Sequence, residues 1–276
     1  MSNNKDSLGD RMKKSYEYIT RTFLTRRIPV IIRLDGKAFH TFTRGFDKPF
    51  DGVLMRSMQR TMKYMCENVQ GCVFGYTQSD EITLVLTDYA KTTTDAWFGY
   101  NVQKMASVAA SMATLAFDRF FAEEYDDFGN KMVGHCDVSS KERKLWDKYR
   151  EAHKRGAIFD ARAFSVPKDE VCNCLIWRQQ DAIRNSIEAA GQAHFSAREL
   201  HKKSTEEIRQ MLLGKEINWL EFSTDCKRGS CCYRVHVTED VQIPDRGAVT
   251  VTRNRWVVDN DIPVFSMNRL FVEKWI

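Results

Sequence analysis

The stretch Pro29-Val30-Ile31-Ile32-Arg33-Leu34-Asp35-Gly36-Lys37-Ala38-Phe39-His40 changes character halfway along, from an apolar run to an acidic turn. Consecutive β-branched residues bounded by a turn signal mark a buried strand, and Asp35-Gly36 mark its end. A carboxylate followed by glycine just past a buried strand can hold a cation, because glycine lets the backbone approach a ligand that any side chain would block. On Asp-Gly alone, a plain strand-to-turn corner is the commoner reading.

A second stretch, Gly71 to Leu86, shifts that balance. It divides into two strands folded back on Gln78-Ser79-Asp80-Glu81, with Ile82, Leu84 and Leu86 alternating on one face of the second arm. The acidic pair Asp80-Glu81 therefore sits at a hairpin tip. If the hairpin lies beside the Val30 strand, Asp35 and Asp80 come from neighbouring strand ends and can share one or two Mg²⁺ ions, the geometry of two-metal phosphoryl transfer.

Outward from these strands, residues 6 to 24 carry Met12, Tyr16, Ile19 and Phe23 at helical spacing and predict an opening helix. Asp51 is a good N-cap for a helix whose face is Leu54, Met58, Met62, Met65 and Val69. A long helix is expected from about Thr94 to Phe120, punctuated by Gly99 and lined by Ala106, Ala109, Ala110 and Ala113, small enough for close packing on a sheet. A further strand is expected over Ala157 to Val166. Strand, helix, hairpin, helix, strand is the split β-α-β order of an α+β, ferredoxin-like layer, which can be built as a polymerase palm. The expected division is a single catalytic unit over 1–276, with a palm-like core over about 6–170. A helical and β extension over about 171–276 then serves RNA binding or oligomerisation.

Composition sets the outer limits. With 276 residues, 43% apolar and 29% charged, the chain is ordinary for a globular enzyme. No run of about 18 apolar residues and no apolar stretch behind a basic start is present, so no membrane partner is expected and the expected location is cytoplasmic. The eight cysteines, spaced as Cys172-x-Cys174 and Cys231-Cys232 among others, match neither a disulfide framework nor a zinc site and are expected to be ordinary thiols. His135, Cys136 and Asp137 lack ordered ligand spacing and are expected to be structural. Net charge is +5, which permits an anionic partner. Basic residues crowd the segment 141 to 155, where Lys141, Arg143 and Lys144 are candidate RNA contacts and a solvated helix face is the alternative.

The blocks RLDGKAFHTF from Arg33, KPFD from Lys48, YTQSDEITL from Tyr76, FDARAFSVP from Phe159 and WRQQDAIRNSI from Trp177 together resemble the tRNA-histidine guanylyltransferase family and its bacterial and archaeal relatives. Those are 3′-to-5′ RNA polymerases. The resemblance spans roughly residues 28 to 190 in order. It implies Asp35, Asp80 and the Gly36 carbonyl as ligands of a pair of Mg²⁺ ions, with Glu81 following as a further catalytic carboxylate. It implies nucleotide binding by Asp35, Gly36, Lys37, Ala38, Phe39 and His40 with Ser79 and Asp80. Lys48 and Asp51 stand in a KPND-like motif in which Phe50 replaces Asn, and Lys104 is the counterpart of a triphosphate-contacting lysine.

The implied substrates are ATP, GTP and other nucleoside triphosphates with tRNA, and the implied assembly is a homotetramer. Arg178, Gln179 and Asn185 are candidate RNA-binding residues, whereas Trp177 is expected in the core. The eukaryotic His-Ile-Asn-Asn signature, tied to recognition of histidine tRNA, reads Ile183-Arg184-Asn185-Ser186 here. Its loss favours relatives that repair tRNA 5′ ends by template-directed addition over addition of a 5′ guanylate to histidine tRNA. Two other classes compete. A palm-type nucleotidyl cyclase would use the same carboxylates but has no need of the WRQQDAIRN block, and an RNA-binding module with a decayed site would not keep Asp35, Gly36, Ser79, Asp80 and Glu81 together.

Overall fold

The structure, a computed structural model describing residues 7–133, 139–243 and 247–276, is built on one six-stranded antiparallel sheet. Its strands are β1 (Val30–Gly36), β2 (Cys72–Gln78), β3 (Glu81–Leu86), β4 (Phe159–Ser165), β5 (Ser230–Ile243) and β6 (Gly247–Asp259), in the order β4-β1-β3-β2-β5-β6. The helices are α1 (Leu8–Met12), α2 (Phe39–Phe42), α3 (Gly52–Asn68), α4 (Val102–Val133), α5 (Ser140–Arg155), α6 (Lys168–His194), α7 (Ala197–Leu200), α8 (Thr205–Leu213), α9 (Thr224–Arg228) and α10 (Leu270–Glu273).

Period-two alternation sorts the strand residues between two cores. Val30, Ile32, Leu34, Ile82, Leu84 and Leu86 face α3 and α4, packing with Met58, Met62, Met65, Met105, Ala109 and Ala113. Ile31, Val85, Phe74 and Tyr76 face the other way, under Val171, Cys172 and Leu175 of α6 and Phe265 and Val272 near the C-terminus. A third cluster joins Ile187 and Ala190 of α6 to Ile208 and Leu212 of α8 and to Trp219. This is the expected α+β layer of helices on an antiparallel sheet.

Two expectations change in detail. The opening helix is short: α1 passes into a π-helical turn over Lys13–Glu17, and Leu8, Met12, Tyr16, Ile19 and Phe23 all remain exposed. Their spacing specifies an amphipathic face, but no described residue covers it, and short helices hold their form mainly through packing. The long helix begins later and runs further, because a 3-10 turn over Trp97–Tyr100 with Phe98 and Gly99 at positive φ precedes α4. In the C-terminal segment, β5 pairs with β2 (Phe74↔Tyr233, Tyr76↔Cys231) and continues the core sheet. The seven described cysteines are free thiols. His135, Cys136 and Asp137 lie outside the described residues. No described helix is long and apolar enough to cross a membrane.

Candidate active site

The register of β1 against β3 ends at Asp35↔Glu81, which brings the end of the first strand to the hairpin tip. There the Gly36 N–H donates to the Asp80 carbonyl at 3.1 Å, and the Ser79 hydroxyl donates to Asp80 Oδ1 at 3.0 Å. Ser79 turns the chain at φ 49°. Gly36 is required by proximity: a Cβ there would lie 2.2 Å from the Phe39 ring. That ring is itself held by Phe42, Phe117 and Phe159 at centroid distances of 5.2, 5.5 and 5.2 Å. The turn through Ala38 at φ 54° thus folds the apolar part of the first motif under the site and leaves its polar part on top.

Asp35 and Asp80 adjoin a cleft of about 610 Å³ that is also lined by Gly36, Ala38, Phe39, His40, Lys48, Asp51 and Ser79. Nine of the residues expected from the sequence are therefore brought to one place. Burial pushes the Asp80 carboxyl above its usual value, Ser79 opposes that, and the nearby charge of Asp35 adds to it. Neither carboxylate has an ion-pair partner among the described residues. Two adjacent carboxylates with no protein cation between them are a hard-oxygen donor set that a divalent metal relieves, so the residues fit the Mg²⁺ that the family resemblance implies.

Several expected members belong elsewhere. Glu81 accepts from Arg178 Nε at 2.8 Å, within a buried ion pair, so its carboxylate ties α6 to the sheet instead of opening onto the cleft. Burial pushes the Glu81 carboxyl up and the Arg178 charge opposes it. Arg178 also donates from Nη2 to Asp181 at 2.6 Å. Gln179 donates to the Pro263 carbonyl at 2.9 Å and accepts from the Phe265 N–H at 2.8 Å. Both are buried, with their side chains engaged inside the protein. Trp177, expected in the core, is 52% exposed, with the Arg33 and Arg178 guanidinium carbons 5.4 and 4.3 Å from its ring centroid.

Lys37 is not among the residues lining the cleft, and its backbone N–H donates to the Ile158 carbonyl at 2.8 Å. Lys104 is displaced further. The Phe159 N–H, opposite Gly36 in the ladder, donates to Thr114 on α4, and Lys104 lies ten residues back, about 15 Å of helix. It is not part of this cleft. Asp51 lines the cleft but its carboxylate is occupied, accepting from Leu54 N–H at 2.9 Å, Asp47 N–H at 3.0 Å and the Tyr149 hydroxyl at 2.7 Å. Phe50, standing where the family motif has Asn, rests its ring 5.3 Å from Phe222. Lys141, Arg143 and Lys144 are exposed on α5, and Lys141 Nζ reaches Asp47 at the cleft rim, 3.1 Å away.

Of the α6 residues at the site, sequence reasoning named Asn185 but missed Ala182, Ala189 and Gln192. Ala182, Asn185, Ala189 and Gln192, at steps of three and four, present one helical stripe to the space above the hairpin tip. The stripe was visible as spacing, but its small and polar residues give no apolar signal.

A palm-type sheet with paired carboxylates at adjoining strand ends, open to a nucleotide-sized cleft, is the site of a nucleotidyltransferase. The tRNAHis guanylyltransferase family is matched over residues 9–167, and the chain belongs to that family. It is similar to an uncharacterized protein of Acanthamoeba polyphaga mimivirus, 29% identical over 218 residues, covering 75% of this chain and 70% of that one. It is also similar to a probable tRNA(His) guanylyltransferase of Dictyostelium discoideum, 23% identical over 265 residues, covering 89% and 91%. Among solved structures, a bacterial tRNA(His) guanylyltransferase-like protein in complex with ATP superposes with TM-score 0.78 at 38% identity, covering 98% of this chain and 99% of that one. One in complex with GTP superposes at 0.70 with 36% identity and the same coverage.

Proposed function

We propose that this nucleotidyltransferase repairs tRNA 5′ ends by template-directed 3′-to-5′ addition. ATP or GTP first activates the 5′ phosphate, whose oxygen attacks the α-phosphorus and expels pyrophosphate. The 3′-hydroxyl of an incoming nucleotide then attacks the activated 5′ phosphorus and expels the nucleoside monophosphate. The observation that carries this reading is the fate of residues 183 to 186. Ile183 packs against the α8 cluster, Arg184 pairs with Asp181, and Ser186 is buried, accepting from Trp219 at 3.1 Å. Asn185 alone of the four reaches a cavity without prior hydrogen bonding. A site lacking dedicated groups for one tRNA leaves selection to base pairing, which delivers specificity the protein need not encode.

In this reading Asp35, Asp80 and the Gly36 carbonyl hold Mg²⁺. The ions, when bound, lower the pKa of the attacking hydroxyl and neutralise charge building at phosphorus. Ser79 orients Asp80 through its hydrogen bond, while Lys48 and His40 line the same cleft and bind polyphosphate. Lys141, Arg143 and Lys144 grip tRNA phosphates at the cleft rim, and the segment from about 171 onward adds α6 to the RNA-binding side of the palm core. The exposed stripe of Leu8, Met12, Tyr16, Ile19 and Phe23 supports subunit association, for which the family resemblance implies a homotetramer; the proposed location is cytoplasmic.

One assay tests the reading. The protein is given a truncated non-histidine tRNA whose next template base is C, and separately full-length histidine tRNA, each with ATP, GTP and Mg²⁺. Faster G addition on the truncated substrate is expected. A strong preference for the intact histidine tRNA would instead restore the guanylyltransferase reading.

A further inference from the structure

Lys48 reaches the cleft from Thr43 to Asp51, a stretch between α2 and α3 that contains no helix or strand. Such a stretch takes its shape from the groups that tie it down. Its own backbone contributes a turn, closed by the Phe46 N–H on the Thr43 carbonyl at 3.0 Å. Beyond that turn, the Asp47 N–H donates to Asp51 Oδ2 at 3.0 Å, so the segment carrying Lys48 is closed across a side chain.

Further ties come from α5. Tyr149, 2% exposed, donates its hydroxyl at 2.7 Å to the same Oδ2 that holds the Asp47 N–H. Its ring meets Phe46 edge-on, with centroids 4.9 Å apart. One side chain therefore holds both the residue two before Lys48 and the residue three after it. The other links from α5 are weaker or further off. Lys141 pairs with Asp47 from an exposed position, where ion pairs contribute little. Arg155 donates to the Phe42 carbonyl at 3.2 Å, before the loop begins.

Packing accounts for the Tyr149 ring but not for its hydroxyl. Phe46, Phe121 and Phe128 surround the ring at centroid distances of 4.9, 6.0 and 5.5 Å, a setting that phenylalanine would fill equally. The hydroxyl is committed to Asp51, 5% exposed, whose carboxylate is out of water and depends on its donors from Leu54, Tyr149 and Asp47. Burial and the Asp51 charge both raise the Tyr149 phenol, so it stays protonated and remains a donor. Tyr149 itself does not line the cleft. We propose that Tyr149 is a positioning residue for nucleotidyl transfer, which through Asp51 and Phe46 fixes the loop that presents Lys48 to the polyphosphate. This rests on the reading above in which Lys48 binds polyphosphate, and it extends that reading to a helix outside the cleft.

Tyr149→Phe keeps the ring and removes only the hydroxyl. In the full-length protein, hydrogen exchange followed by mass spectrometry should show the amides of residues 44 to 48 exchanging at least about fivefold faster, with those of β1 unchanged. KM for GTP in nucleotide addition should rise about three- to tenfold with kcat changed less than about twofold, as one hydrogen bond to a charged group is lost. In a Lys48→Ala background the same substitution should change KM less than about twofold, because its effect passes through Lys48. A role in packing alone would leave loop exchange and KM unchanged in folded Tyr149→Phe, and either result would overturn the positioning role. An equal rise in KM with and without Lys48 would overturn it as well. An unchanged KM in Lys48→Ala itself would overturn polyphosphate binding by Lys48 instead, and loop exchange that still rises in Tyr149→Phe separates that failure from a failure of Tyr149 to hold the loop.

Discussion

Replacing Arg178 with Met should damage stability first and RNA binding only as a consequence. Its guanidinium is 8% exposed and makes two charge-assisted bonds, to Glu81 at 2.8 Å and to Asp181 at 2.6 Å. Bonds of this kind contribute about 1.5–3 kcal/mol each, and breaking a buried pair from one side costs about 3–5 kcal/mol because the partner charge is left uncompensated. Glu81, itself 9% exposed, would be that stranded charge. We expect a loss of about 3–5 kcal/mol in urea denaturation for Arg178→Met. The Arg178→Met, Glu81→Gln double variant should recover part of it, with a coupling of about 0.5–3 kcal/mol between the two positions. A loss below about 1 kcal/mol would refute the buried-pair argument, since exposed ion pairs fall in that range. Normal stability with greatly weakened tRNA binding would refute it in a different way, by returning Arg178 to the RNA surface.

Two further predictions concern the cleft and its rim. Asp35→Ala and Asp80→Asn should each reduce nucleotide addition at least tenfold, about 1.4 kcal/mol in barrier; Asp80→Asn should at the same time raise the Tm of the metal-free protein, because burial and the Asp35 charge both disfavour the carboxylate it removes. Retention of wild-type turnover, or a fall in metal-free Tm on Asp80→Asn, would count against the paired-ligand reading. Affinity for tRNA should fall steeply with salt, and Lys141→Ala, Arg143→Ala and Lys144→Ala together should lower the slope of log K against log salt by up to about 2–3, as released phosphate contacts no longer displace counterions. A flat salt response in wild-type binding titrations would remove the RNA-facing role of α5.

How much of this was legible depended on which periodicity carried the information. Strands alternate with a period of two, and a two-residue hairpin turn is a local decision, so the placement of Asp35 and Asp80 at adjoining strand ends follows from Val30-Ile31-Ile32 and from Ile82, Leu84 and Leu86. The pairing of β5 with β2 was not legible, because it joins residues about 150 positions apart and depends on which edge of the hairpin remains open. Helix phase was the main source of error. Trp177 and Arg178 are neighbours, yet about 100° of rotation separates an exposed indole from a buried guanidinium, and only the sheet beneath α6 selects which one turns inward. The distance of Lys104 from the cleft along α4 is a quantity that a motif match does not contain.

The same helix phase bears on the altered signature at residues 183 to 186. On α6, Ala182, Asn185 and Ala189 line a cavity of about 150 Å³, whereas Ile183 packs against the cluster of Ile187, Ile208 and Trp219. Position 183 is where the eukaryotic motif has its histidine. An imidazole placed there in this protein would enter an apolar cluster, at the cost of burying a polar ring without an evident partner. Phe50 shows a parallel change, since it replaces a motif asparagine and packs on Phe222 in the chain that precedes α9. Apolar residues at 50 and 183 thus anchor the chain before α3 to Phe222 and α6 to the α8 cluster. Placing a histidine at position 183 would therefore require rebuilding the packing of α6 on α8 and Trp219 together with the signature.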